Sequence, residues 1–122
     1  MFATNDNRTY IPKIVDSLKG INPSKVILFG SYAYGVPHKD SDIDLIIVLN
    51  KKGMAKSYKE RKENRTIVAG KLLDIEEQMP LDTLVYTIDE WECFLNNDSS
   101  FSTLINQKGI LLYEADNRAM AK

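Results

Sequence analysis

Apolar and polar positions alternate along this chain with two periods, one helical and one extended. Apolar residues at helical spacing predict a first helix over residues 9–19, which Gly20 ends. Two short apolar runs predict strands over 25–29 and 43–49, and a long predicted helix over 55–78 is apolar only in its second half. This order of helices and strands predicts an α/β (α+β) fold.

The second half of the chain continues this alternation after Pro80, which ends the long helix. Thr87 and Glu90 form a capping-box pattern at the start of a further helix. A third strand is predicted over residues 82–87, and the helix after it includes residues 91–95. A turn over 96–100, a short helix over 101–108 and a fourth strand over 110–113 follow. A polar tail begins at about residue 114. The 122 residues contain neither repeats nor a low-complexity linker, so we expect one domain spanning 1–122.

Residues 30–44 carry the candidate chemistry, because two carboxylates, Asp42 and Asp44, stand at the start of the second predicted strand. Side chains alternate between the two faces of a strand, so these aspartates point to the same face. Two hard oxygen ligands on one face suit Mg²⁺, which takes one or two protein carboxylates together with substrate phosphates. The stretch therefore predicts a site for a nucleoside triphosphate and its metal ions.

A Gly-Ser pair ends the first predicted strand and supplies the other half of this site. Gly30 allows a phosphate to approach the backbone closely. Residues 31–35 predict a short helix whose free N–H groups face an anion, and the Ser31 hydroxyl can donate to a phosphate oxygen. We therefore expect Gly30 and Ser31 to bind the nucleotide.

The spacing Gly30-Ser31, ten residues, Asp42-x-Asp44 resembles the motif of the polymerase-beta-like nucleotidyltransferases. The residues around it resemble the minimal, MNT-type branch, namely Ala33, Gly35, Ser41 and Leu45. The resemblance extends more loosely over about residues 12–113. It implies a nucleotidyltransferase fold, with a small mixed sheet, helices mainly on one side and three aspartates at one edge of the other face. It also implies ATP as substrate and one or two Mg²⁺ ions.

The resemblance requires a third carboxylate on a neighbouring strand, both for metal binding and for catalysis. Asp82 is the best candidate, because it opens the third predicted strand directly after Pro80. Asp74 and Glu76 are competitors, but they belong to the end of the long predicted helix. The expected catalytic and metal-binding set is therefore Asp42, Asp44 and Asp82.

The resemblance also implies a partner. MNT-type antitoxins transfer AMP from ATP to a hydroxyl, often of a tyrosine, on a HEPN-type ribonuclease toxin, and this AMPylation silences the toxin. A chain of 122 residues has no room for an added acceptor domain, so a partner protein is expected to complete the site. Two alternatives stay open: a non-catalytic module that masks its partner, and a small-molecule nucleotidyltransferase that acts as a homodimer.

Composition excludes several other classes of protein. The net charge is −1, which gives no overall field for nucleic acid and argues against a template-copying enzyme. The single cysteine, Cys93, cannot form an internal disulfide, and one His with one Cys makes a zinc site implausible. No signal peptide is visible, and the longest apolar run is too short to cross a membrane. We expect a cytoplasmic protein of a prokaryote.

Three further features allow more than one interpretation. A basic cluster is either a solvated surface or a positive rim that attracts triphosphate or an acidic partner; it comprises Lys51, Lys52, Lys56, Lys59, Arg61, Lys62 and Arg65. Tyr32 and Tyr34 flank the motif and either stack on a base or pack, and we favour packing. Cys93 is expected to be a small buried residue.

Overall fold

Four strands form one mixed sheet in the computed structural model, which describes residues 7–38, 40–97 and 99–115. In chain order they are β1 (Lys25–Phe29), β2 (Ile43–Val48), β3 (Leu81–Tyr86) and β4 (Ile110–Glu114). Their order across the sheet is β3-β2-β1-β4. The pair β2–β3 is parallel, and β1 is antiparallel to both of its neighbours. The predicted mixed sheet is confirmed.

Helices lie before and between these strands, and the last three begin at residues whose side chains cap them. In chain order they are α1 (Tyr10–Leu18), α2 (Ser31–Tyr34), α3 (Tyr58–Glu76), α4 (Ile88–Asn96) and α5 (Ser100–Lys108). The capping box predicted for α4 is present: the Glu90 N–H donates to Thr87 Oγ1 at 3.2 Å, and the Thr87 N–H donates to Glu90 Oε1 at 2.9 Å. α3 begins at Tyr58 rather than near residue 55, because Ser57 caps it through the Glu60 N–H.

The central strand β2 places apolar side chains on both faces of the sheet. Leu45 and Ile47 are fully buried on the face covered by α1 and α3. Ile46 and Val48 are fully buried on the opposite face, in a cluster that includes Trp91 of α4 and Ile105 of α5. The helices α1 and α3 thus share one side, and α4 and α5, each nine residues long like α1, add a second layer on the other side, to which the sequence pattern did not assign them.

Two details of the predicted pattern are corrected. Glu114 is paired with Lys25 in the sheet, so the strand continues to the residue at which the polar tail was predicted to begin. The rest of that predicted tail, residues 116–122, lies outside the described residues. Cys93 is exposed rather than buried, because its neighbour Trp91 occupies the side of α4 that faces the sheet. Among the helices of the described ranges, none combines the length and the apolar character that a bilayer crossing requires.

A matched pair of leucines tests this account of the core. Leu45 is 0% exposed at the centre of β2, whereas Leu73 is 62% exposed on α3. Leu45→Ala should lower the free energy of unfolding by about 2–5 kcal/mol, because it removes buried methyl groups and leaves a cavity. Leu73→Ala should change that free energy by no more than about 0.5 kcal/mol. Urea unfolding followed by circular dichroism measures both, and equal losses would contradict the assignment of β2 to the core.

Candidate functional site

The register of the sheet brings two of the predicted carboxylates side by side. Asp44 of β2 is paired with Asp82 of the parallel strand β3, and on its other side with Phe29 of β1. Neighbouring strands lie about 4.8 Å apart. Leu84 and Tyr86 pack in the cluster on the α4–α5 face, and Asp82 shares their face because side chains alternate along β3. Asp44 and Asp82 therefore lie on the face opposite α1 and α3.

The electrostatics of Asp44 bring the third aspartate into the same site. Burial raises the pKa of Asp44 above its ordinary value of 3.8, and the charges of Asp82 and Asp42 raise it further. Asp44 is half-buried, whereas Asp42 and Asp82 are exposed. The site is thus one partly buried carboxylate flanked by two solvent-facing ones. Repulsion among these charges favours a bound cation.

The donor set fits a hard divalent cation, but it does not form a finished cage. Within the described ranges, no three His, Cys, Asp or Glu side chains are arranged to hold a metal ion by themselves. Mg²⁺ does not need such a cage, because it retains waters and uses one or two carboxylates together with substrate phosphates. Asp42, Asp44 and Asp82 are the residues here that could hold such an ion.

Gly30 lies directly against the Asp44 carboxylate. Its backbone has φ 75°, a conformation that glycine adopts readily and other residues rarely adopt. A Cβ atom built on Gly30 would lie 2.0 Å from Asp44 Oδ2, far inside van der Waals contact. The end of β1 can therefore approach the carboxylate only because residue 30 has no side chain.

The short helix predicted after Gly30 is present as α2. The N–H groups of Ala33 and Tyr34 both donate to the Gly30 carbonyl at 3.0 Å. The Gly35 N–H donates to the Ser31 carbonyl at 3.1 Å and ends the helix. Ser31 therefore begins a helix directly beside the residue that contacts Asp44, where its hydroxyl was predicted to face a phosphate.

A closed turn leads into Asp42, and sequence reasoning did not predict it. The His38 N–H donates to Ser41 Oγ, and the Ser41 N–H donates to the His38 carbonyl, both at 2.9 Å. The serine before Asp42 was the available signal, because Ser side chains often bond to backbone groups in turns. The His38 side chain itself is exposed.

The two tyrosines of the motif are packing residues to different degrees. Tyr32 is 5% exposed in the core under α1, and its hydroxyl accepts a hydrogen bond from Asn7 Nδ2 at 3.2 Å. Tyr34 is half-buried and packs against the cluster on the opposite face. Packing, the favoured interpretation, therefore describes Tyr32, whose ring is too deeply buried to stack on a base.

The competing carboxylates lie elsewhere. Asp74 and Glu76 are exposed residues of α3, a helix packed on the face opposite the carboxylate site. Asp82, by contrast, is paired directly with Asp44. Of the three candidates for a third carboxylate, Asp82 is the one that the sheet brings beside Asp44.

The basic cluster lies at the other end of the sheet. Its first residue, Lys51, follows the carboxyl end of β2, whereas Asp44 is near the amino end. The rise from Asp44 to Val48 alone is about 13 Å. Lys51 also makes two hydrogen bonds away from the carboxylates. Its Nζ donates to the buried Asn64 side chain at 2.9 Å, and its carbonyl accepts from the Ile88 N–H at 2.9 Å. The structure therefore does not support a positive rim around the carboxylates Asp42, Asp44 and Asp82.

Comparisons with known proteins bear on the family and the fold of this chain. The sequence model of the nucleotidyltransferase domain family matches residues 9–106. A crystal structure described as a toxin-antitoxin with AMP-PNP is similar in fold, with 19% identity and a TM-score of 0.52, over 91% of this chain and 78% of that one. A crystal structure of a mutant toxin-antitoxin MntA-HpeT gives 18% identity and a TM-score of 0.49, over the same shares of the two chains. A comparison with curated proteins finds no match.

Two glycines provide a test of the contact between Gly30 and Asp44. Gly30→Ala places a Cβ against the carboxylate and forces a strained φ, so the free energy of unfolding should fall by at least about 1 kcal/mol. Gly70→Ala adds a Cβ into open space in the middle of α3 and should raise it by about 0.5–1 kcal/mol. Thermal unfolding measures both changes. A stabilised Gly30→Ala variant would contradict the close approach.

The raised pKa of Asp44 predicts a pH-dependent stability. The folded state holds this proton more tightly than the unfolded chain does, so ionisation of Asp44 lowers stability as pH rises from 3.8 through the folded pKa. Asp44→Asn removes that cost, so its melting temperature should exceed that of the wild type at pH 7. The difference should disappear below about pH 3.5. Thermal unfolding in EDTA from pH 3 to 8 measures it, and a difference independent of pH would contradict the electrostatic explanation.

Proposed function

We propose a specific reaction for this chain, which belongs to the nucleotidyltransferase domain family: it transfers AMP from ATP to a hydroxyl of a partner protein. The observation that carries the proposal is the pairing of Asp44 with Asp82, next to Gly30. No residue with a side chain fits at position 30, because its Cβ would collide with the Asp44 carboxylate. This arrangement joins a carboxylate pair to a backbone that a phosphate can approach closely.

The three carboxylates have different roles in the proposed reaction. Asp42 and Asp44 would hold one or two Mg²⁺ ions together with the triphosphate, and Asp82 would also contribute to holding the metal. Bound Mg²⁺ supplies charge neutralisation and lowers the pKa of the acceptor hydroxyl. Asp82 takes the hydroxyl proton while the acceptor oxygen bonds to the α-phosphorus and pyrophosphate leaves. Catalysis is then mostly positioning and electrostatic stabilisation.

The Gly-Ser turn holds the other end of the nucleotide. Gly30 lets the phosphates approach the backbone, and the Ser31 hydroxyl donates to a β- or γ-phosphate oxygen. The hydrogen-bonded turn between His38 and Ser41 keeps Asp42 in place. These residues hold ATP so that its α-phosphorus faces Asp44 and Asp82.

The partner is a toxin, in this proposal of HEPN type, and this chain is its antitoxin. Support comes from the fold shared with a chain of a toxin-antitoxin structure that contains AMP-PNP. Further support is the exposure of Asp42 and Asp82, which leaves the carboxylates accessible to a second protein. AMPylation of a hydroxyl would silence the toxin covalently.

Labelling with α-³²P-ATP and Mg²⁺ in a lysate of the native host tests this function on a denaturing gel. The wild-type protein should label one protein band. Asp42→Asn, Asp44→Asn and Asp82→Asn should each reduce the label by about 10²-fold or more, because each removes charge that the reaction uses. Asp74→Asn, an exposed carboxylate on α3, is the matched control and should label normally.

The outcomes separate the alternatives. A labelled band that survives in Asp44→Asn would contradict the assignment of the site. With the wild type, ATP left unconsumed and no band would favour a non-catalytic module that masks its partner. ATP consumed without a band would favour a small-molecule acceptor.

A further inference from the structure

The strand that carries Asp82 lies at an edge of the sheet. β3 is the first strand in the order β3-β2-β1-β4, so its inner side pairs with β2 and its outer side faces away from the sheet. Within the described residues, no strand pairs with that outer side. An unpaired edge presents a row of N–H and C=O groups to which another extended chain can bond.

The hydrogen bonds identify which groups of β3 face outward. The Pro80 carbonyl accepts from the Ile43 N–H at 3.2 Å, and the Tyr86 carbonyl accepts from the Leu49 N–H at 2.8 Å. Successive residues of a strand direct these groups to opposite sides, so the even-numbered residues of β3 bond to β2. The outward N–H and C=O groups are those of Leu81, Thr83 and Val85, and none of them has a backbone partner beyond the sheet in the described part of the chain.

Two common devices against edge pairing, a lysine on the strand and a β-bulge, are absent from β3, and its one charged residue is Asp82. Edge strands are commonly blocked by lysine, proline or a bulge. Here the outward-bonding positions are Leu81, Thr83 and Val85, and Pro80 directs its carbonyl inward. The β2–β3 register is regular, whereas β1–β4 contains an irregularity at Val26/Ile27. The edge beside Asp82 is therefore a regular template for a further strand.

This edge lies directly beside the carboxylates of the candidate site. Phe29, Asp44 and Asp82 form one row across β1, β2 and β3. A strand added to β3 would continue that row at a spacing of about 4.8 Å. The added residue opposite Asp82 would direct its side chain to the same face as the Asp82 carboxylate, with Cβ atoms about 4.5–5.5 Å apart in an antiparallel pair.

We propose that the acceptor protein binds as an extended segment that adds to the outer edge of β3 and places a hydroxyl side chain opposite or diagonal to Asp82. This proposal rests on the proposed function. The hydroxyl gives its proton to Asp82, its oxygen bonds to the α-phosphorus of ATP, and the α–β phosphoanhydride bond breaks to release pyrophosphate. Backbone pairing supplies affinity, and the side-chain position decides which hydroxyl is modified.

The opposite edge of the sheet does not fit the same role. β4 lies three strand spacings from β3, about 14 Å away. A segment bound there would hold its side chains beyond the reach of Asp82. The observations therefore favour one edge for the acceptor.

Proline at Thr83 tests the edge, because it removes an outward N–H and places a ring in the path of an added strand. Proline is tolerated where the N–H faces outward from an edge strand, and the extended Asp82 before it satisfies the restriction on the preceding residue. Thr83→Ala removes the same side chain and keeps the N–H. In the host-lysate assay, Thr83→Pro should label the target band at least about tenfold less than Thr83→Ala does.

Binding of AMP-PNP with Mg²⁺, measured by calorimetry, shows whether the nucleotide site is intact in both variants. Reduced labelling with retained AMP-PNP binding supports the proposal, and equal labelling by the two variants overturns it. No band with the wild-type protein removes the proposed function and this inference together. A wild-type dimer that Thr83→Pro dissociates would also overturn it, because a second copy would then occupy the edge.

A second measurement applies if Thr83→Pro loses AMP-PNP binding or fails to fold. Amide hydrogen exchange of the wild-type protein is compared with and without the purified protein of the labelled band. The outward amides of Thr83 and Val85 should exchange more slowly in the complex. Unchanged exchange at both amides overturns the proposal.

Discussion

The candidate site depends on one constraint: the central strand β2 is buried on both faces and still carries a carboxylate. Its apolar residues from Ile43 to Val48 are fully buried, and Asp44 alone interrupts them. Burying each such side chain contributes about 1.5–3 kcal/mol. That packing holds Asp44 beside Asp82 and against Gly30, even though burial and repulsion raise its pKa.

The far ends of the parallel strands are tied together in a way that keeps this register. Glu90 uses one carboxylate oxygen for the cap of α4 and the other to accept from the Ala55 N–H at 3.0 Å. Its neighbour Asp89 accepts from the Gly53 N–H. The loop that leaves β2 is thereby fastened to the helix that leaves β3. A slip of one residue between these strands would turn Asp82 to the opposite face, so these bonds act on the site from the other end of the sheet.

The residues of the candidate site that are close in sequence could be predicted from local patterns. The alternation of strand residues predicted a common face for Asp42 and Asp44; Asp42 lies just before β2, and its charge acts on Asp44. The Gly-Ser pair indicated a close backbone approach. The pairing of Asp44 with Asp82 depends on sheet order, which periodicity does not determine. For the same reason α4 and α5 could not be assigned to a face. Cys93 was expected to be buried because of its residue type, but Trp91 occupies the side of α4 that faces the sheet. The basic cluster, with Lys51 at its start, is near Asp44 in sequence but follows the opposite end of β2, so proximity in sequence was misleading.

Repulsion among Asp42, Asp44 and Asp82 destabilises the free domain and favours binding of a cation between them. A charge brought to Asp44 relieves a cost that burial makes larger there than at the exposed Asp42 and Asp82. In the proposed function, a metal–triphosphate complex bound at Asp44 would relieve this repulsion. Because only the folded state holds the three carboxylates together, a ligand that binds between them stabilises the sheet by mass action. Under the proposed function, binding at Asp44 and the integrity of the β2–β3 pair would therefore be two aspects of one equilibrium.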